Sequence, residues 1–268
     1  MSATLGGLIK DYRLQKHISQ MEIALFLGWS EASRLSRIEQ GLVKKPTREI
    51  VDRLIQVLKL DRFEEGQLLL AGGYLPYREE LNTISHEVQS LLDNWPYPAY
   101  LLDFSWRLIS WNKPAARVYA IDVKAEEFIK ENLPWAPGLV FDPDFFQNKY
   151  LKDEDEVNAW HKLLLGKLIR FRYLNRERTG ERWYQELISR MMKNKLFANL
   201  WQKAHLTLVE TGMINYERKK LVDWQNIDKR FDFHIFRSQL LQDARFEINY
   251  HIPGDQETLL FFSKTENS

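Results

Sequence analysis

Apolar positions in the first third of the chain recur at helical spacing. Ile23, Ala24 and Leu27 fall on one face of a short helix, Leu35 and Ile38 on one face of another, and Gly28 supplies a permissive turn between them. Ser19-Gln20-Met21-Glu22 has the form of a capping box that starts the first helix. Ser30 is the expected N-cap of the second, its oxygen accepting from an amide near Ser33, and Gly41 fits the position just past its end. Small Ala24 suits a close crossing of the two. Residues 5–17 predict a preceding helix, 46–58 a fourth and 63–72 a fifth, after which Gly72-Gly73-Tyr74-Leu75-Pro76 punctuates the series. Residues 81–94 then predict one more helix, with Ile84, Val88, Leu91 and Leu92 on one side.

From Pro96 the pattern becomes strand-like. Residues 98–103 and 107–112 are β-prone runs separated by Phe104-Ser105-Trp106 and predict a hairpin. Residues 113–119 predict a short helix, and helical segments fill much of 123–205. Three strand-like runs close the chain, 231–240, 245–252 and 257–262, the last two flanking the turn-type loop Pro253-Gly254-Asp255-Gln256. Strands at both ends with helices between predict an α+β domain, an antiparallel sheet with its helices on one face. Only Trp29 of the nine tryptophans precedes residue 90, so the two halves need different cores. The chain divides accordingly into an all-α five-helix head (1–76), a connector helix (77–92) and an α+β domain (93–268).

Composition narrows the function classes. With 44% hydrophobic and 28% charged residues the chain is of ordinary globular type. It has no run of about 18 apolar residues and no secretion-type N-terminus, so the expectation is a cytoplasmic protein without a membrane partner. The absence of cysteine excludes disulfides, thiolate nucleophiles and the common zinc fingers. The histidines show no metal-ligand spacing, there is no Gly-rich phosphate loop, and Asp153-Glu154-Asp155-Glu156 would point around a helix rather than into one site. No catalytic or metal site, and no enzyme, is expected. The net charge of +1 divides into 12 Lys+Arg against 9 Asp+Glu through Arg78, and 26 against 28 beyond it. So small an excess makes the placement of Arg34, Arg37, Lys44 and Lys45 matter more than their number.

The stretch from Gln20 to Gly41, Q-M-E-I-A-L-F-L-G-W-S-E-A-S-R-L-S-R-I-E-Q-G, resembles the xenobiotic-response-element-type helix-turn-helix of bacterial and phage repressors, and the likeness extends over about residues 1–76. The resemblance implies that the second helix of the motif enters the major groove of a double-stranded DNA operator. It places Ala32, Ser33 and Arg37 at base edges: Arg37 for a bidentate contact to guanine, Ser33 for a hydrogen bond, Ala32 for a thymine methyl. Gln20 would meet a phosphate at the start of its helix, with Arg34, Lys44 and Lys45 as further phosphate contacts beside the Ser30 turn. Arg13 and Glu39 match a structural ion pair. Glu31 departs from the expected electrostatics, since an acid at the start of the reading helix repels phosphate. A homodimer on half-sites about 34 Å apart is the implied assembly.

The phrase P-A-Y-L-L-D-F-S-W-R-L-I-S-W-N-K-P-A-A-R resembles the opening of the MmyB-like ligand-binding domain, a PAS-like module, and Lys195-Leu196-Phe197-Ala198-Asn199-Leu200-Trp201 resembles a second signature of it. The match runs over about residues 85–263. It implies a sheet that cups a small apolar molecule, fatty-acid-like, with no other cofactor required. Candidate lining residues are Tyr100, Leu102, Leu108, Trp111, Phe197, Trp201 and Phe261. Arg170, Arg172 and Asn112 are candidates for holding a head group, and Asn112 is equally placed to cap the helix that follows it. Two other readings stay open: a domain used only for dimerisation or partner binding, and a PAS-type haem or flavin sensor.

Overall fold

The computed structural model describes residues 4–132, 134–142, 146–206 and 216–265, which form two compact units. The first comprises residues 1–77 and 239–246, the second residues 78–238 and 247–268.

The first unit is built on five helices: α1 (Leu5–Gln15), α2 (Gln20–Phe26), α3 (Ser33–Glu39), α4 (Arg48–Leu58) and α5 (Arg62–Ala71). Ser19 starts α2 with the expected capping box, its oxygen accepting from Glu22 N at 3.1 Å while Glu22 Oε2 takes the Ser19 amide at 2.6 Å. Asp61 and Glu64 repeat the device at α5. Gly28 and Gly41 both have positive φ, 74° and 73°, which a glycine adopts without Cβ strain. The core gathers Ile9, Ile23, Ala24, Leu35, Val51, Leu54, Leu58 and Leu68, all fully buried. Gly6 lets α1 approach α3 closely, because a Cβ there would lie 2.3 Å from the Ile38 carbonyl oxygen. Gly66 does the same on α5, against the backbone of Asp243 and Ala244 within this unit.

Ser30 does not cap α3. The helix begins at Ser33 with Ala32 in the N-cap position and no side-chain cap, and the Ser33 hydroxyl donates instead to Glu31 Oε2 at 3.0 Å. The turn after Trp29 is longer than the pattern suggests, which carries Ser30 out of capping range.

The second unit opens with α6 (Arg78–Asp93), which clusters with it rather than standing apart as a connector. Next come β1 (Ala99–Asp103) and β2 (Leu108–Trp111), then α7 (Lys113–Tyr119), α8 (Val123–Asn132), α9 (Ala136–Val140), α10 (Phe146–Lys149), α11 (Glu154–Leu174), α12 (Arg182–Met191) and α13 (Lys195–Leu206). The chain finishes with β3 (Tyr216–Asp223), β4 (Asn226–Gln239), β5 (Phe246–Pro253) and α14 (Gln256–Thr265). The strands form one curled antiparallel sheet in the order β2-β1-β5-β4-β3, so the last strand sits beside the first.

The turn between β1 and β2 is held by Asp103, whose Oδ1 accepts from Ser105 N, Ser105 Oγ and Arg107 N while Oδ2 takes Arg107 Nε at 2.6 Å. Trp106 completes it at φ 66°. Two elements differ from the sequence pattern. Residues 257–262, read as a strand, lie in helix α14, because Asp255 caps it by accepting from Thr258 N at 2.8 Å. The pattern also gave no sign of β3, a strand whose lysines interrupt any apolar alternation.

Candidate functional site

The candidate reading surface is the exposed face of α2 and α3. Its frame is a triad of buried Arg13 and Glu39 with half-buried Gln20: Arg13 donates to both oxygens of Glu39, at 2.6 and 3.0 Å, and Gln20 Nε2 donates to Glu39 Oε2 at 2.8 Å. The hydrogen bond to Glu39 pushes the Arg13 guanidinium further above its already high range. The pair therefore ties α1 to α3. The side-chain amide of Gln20 is committed to this frame, so any phosphate contact of Gln20 falls to its backbone amide at the start of α2.

Ser33 and Arg37 are exposed on α3 and Ala32 is half-buried at its start. Arg34 lies over the Trp29 ring, 4.6 Å from its centroid, which holds the side chain against the turn. Lys44 is exposed in the loop after α3. Lys45 donates to the Gly73 carbonyl at 3.3 Å and sits over Tyr74, whose hydroxyl in turn donates to the Pro46 carbonyl at 2.6 Å. Glu31 engages Ser33, so the acid that opposes phosphate also occupies one of the expected base-reading hydroxyls.

The second unit contains a cavity of about 300 Å³, at the small end of the range for small-molecule sites. Strand pairing with one irregularity explains its sheet wall. Tyr100 pairs with Trp111 and Leu102 with Leu108 across β1 and β2, and the register shift between Leu101 and Leu102 lets Leu108 and Trp111, three residues apart, line the cavity with both partners. Helices add Trp160 and an apolar wall that includes Ile129, Leu139 and Val140. Arg170 also lines it, held by Glu247 through hydrogen bonds of 3.2 and 3.0 Å and placed over the Trp106 ring.

The other expected lining residues lie outside this wall, each for an identifiable reason. Asn112 is a framework residue, 1% exposed: its Oδ1 accepts from Ala99 N and Ala115 N, capping α7, and its Nδ2 donates to the Leu92, Trp95 and Tyr97 carbonyls. Phe197 is fully buried core, stacked on Trp201. Arg172 covers the outer ring of that stack, 4.6 Å from the Trp201 centroid. Phe261 lies on α14 and packs on Phe231 at 4.7 Å.

Five polar lining residues escaped sequence reasoning: Lys167, Lys219, Arg237, Glu247 and Asn249. A signal for some of them exists in strand parity. Arg237 continues the inward series Phe231, Phe233, Ile235, and Lys219 is paired with Phe233. Behind them His251 is fully buried, its Nε2 at 2.9 Å from Tyr119 Oη, which also receives Lys219 Nζ. Burial, reinforced by Lys219, Lys167 and Arg237, holds the His251 pKa well below its ordinary range. The ring is therefore neutral.

Comparison with known proteins agrees with this division of the chain. A helix-turn-helix domain family matches residues 4–67, and the MmyB-like transcription regulator ligand binding domain matches residues 84–258, more than half of the chain. The ImmF control region 10 kDa protein of Bacillus phage phi105 is 39% identical over 74 residues, which is 26% of this chain and 80% of the phage protein. These families are those of a transcription regulator and not of an enzyme. Among the described residues no helix is long and apolar enough to cross a membrane, and no group of His, Asp and Glu is arranged to hold a metal ion.

Proposed function

The chain belongs to the MmyB-like transcription regulators, and from that premise we propose that two copies read a two-fold operator while a fatty-acid-like ligand in the cavity modulates the affinity. The observation that carries the ligand reading is the cavity itself: an aromatic and aliphatic wall interrupted by a few inward charged groups suits an amphiphile with one polar end. At the reading surface the exposed Arg37 is the residue assigned to discriminate bases, and the exposed Lys44 and the backbone at Gln20 position the head on phosphates. For the ligand to act, its affinity must differ between the DNA-competent form and the alternative, and operator affinity then shifts by the same factor.

The test is extraction of the purified protein into organic solvent, mass spectrometry of the extract, and operator titration with the recovered compound added or withheld. A bound amphiphile that changes operator affinity is the expected result. No extracted compound, together with no thermal shift across a fatty-acid panel, would instead leave the second unit as a dimerisation or partner-binding module. A visible absorbance band in the same preparation would favour haem or flavin.

A further inference from the structure

The strip of residues 239–246 groups with the head, yet both of its ends run directly into strands that line the cavity. Arg237, two residues before it on β4, is a lining residue, and so are Glu247 and Asn249 on β5, the first of them adjacent to the strip. Glu247 also holds Arg170 of α11, which lies over the Trp106 ring on the same wall. A molecule in the cavity therefore rests against strands that pass into the head within one or two residues.

The strip is closed on itself. The Leu240 amide donates to the Phe246 carbonyl at 2.9 Å, the Phe246 amide to the Asp243 carbonyl at 3.1 Å, and the Gln239 side-chain amide to the Ala244 carbonyl. Arg245, buried, is paired with Asp243 at 2.7 Å. Against α5 the contact is backbone to backbone, since a Cβ on Gly66 would lie 2.8 Å from both the Ala244 nitrogen and the Asp243 Cα. A side chain in such a contact can turn away; two backbones cannot, so α5 must share any shift of the strip. From α5 the frame continues: Glu64 pairs with Lys16 at the end of α1 at 3.1 Å, and Arg13 of α1 holds Glu39 of α3. A second route is softer. Arg78 follows Tyr77, where the first stretch of the head ends, and donates to the Glu131 and Lys130 carbonyls at the end of α8, a helix that also lines the cavity. Those hydrogen bonds are exposed, and water replaces them readily.

We propose that the β4–β5 strip seated on Gly66 is the element that conveys occupancy of the cavity to the head. The proposal rests on the apolar-ligand reading and adds the path by which such a ligand acts.

The experiment follows amide hydrogen exchange of the full chain with and without dodecanoate. Dodecanoate is expected to slow exchange in β4 and β5 beside the cavity, in the strip and in α5. Gly66→Ala keeps the helix, since alanine is the better helix former, but forces the strip off α5. The cavity strands should still respond in this variant, and the response of α5 should be lost. Arg78→Ala should leave the α5 response intact, which decides the matter even where Gly66→Ala fails to fold. Loss of the α5 response in Arg78→Ala, or its survival in a folded Gly66→Ala, overturns the proposal. So does a wild type whose cavity strands respond while α5 does not, and the apolar-ligand reading then stands. Exchange unchanged throughout the wild type overturns both.

Discussion

In the head, Arg13, Gln20 and Glu39 close on one another, whereas in the second unit Lys167, Lys219 and Arg237 converge on a cavity whose lining acid, Glu247, is engaged with Arg170. Both are groups of buried and half-buried polar side chains, yet they differ in arrangement. In the head the Arg13 guanidinium and the Glu39 carboxylate engage each other and hold two helices in one relation, while Arg37 stays exposed. In the second unit the charged side chains instead line open space, four cations and one acid among the described lining residues. A group closed on itself marks a scaffold; a group that lines open space is placed to meet something else.

Removing the balance in the head is the strongest way to test this contrast. Glu39→Ala leaves Arg13 buried beside no carboxylate, its side chain 10% exposed, and should destabilise the head by about 3–5 kcal/mol in denaturant titration. Ligand binding by the second unit should be unaffected. A loss below 1 kcal/mol or so would show that the triad is not the frame described here.

A smaller effect probes the second unit through pH. His251 is neutral when folded and has a pKa below the ordinary 6.5, so the unfolded chain takes up this proton first as pH falls. Its contribution is complete above about pH 6.5 and declines below it, by at most about 1.4 kcal/mol per pH unit. Denaturation at pH 7.5 and 5.5 should therefore show a steeper acid loss in the wild type than in His251→Gln. Equal slopes would mean that the ring is accessible to protons in the folded state.

The smallest change returns to the head. Ser19→Ala removes one half of the capping box of α2 and should lower stability by about 1 kcal/mol. Operator affinity should fall only as far as α2 frays, which a parallel DNA titration reads. A large loss of affinity with intact stability would move Ser19 from the frame to the reading surface.

The helix-turn-helix was legible because its information is local: a capping box, two positive-φ glycines and apolar positions at helical spacing all lie within Ser19–Gly41. The cavity's aliphatic and aromatic wall on β1 and β2 was legible for the same reason, since one hairpin brings Tyr100, Leu102, Leu108 and Trp111 to one face. Its cationic part was not, because Lys167, Lys219 and Arg237 come from a helix and two strands separated along the chain, and a lone inward lysine reads as surface. Residues 257–262 were misread through Asp255, which serves a turn and a helix start equally well. Ser30 was misplaced by the length of one loop, and Phe197 and Trp201 carry a family signature that here builds core rather than cavity wall.

The grouping of residues 239–246 with the head bears on how such a protein can be taken apart. The chain passes from one unit to the other three times, so no single cut at residue 77 yields two self-sufficient pieces. A head expressed alone lacks the strip that Gly66 is shaped to receive. A chimera that replaces the second unit is expected to need a matching β4–β5 segment for the head.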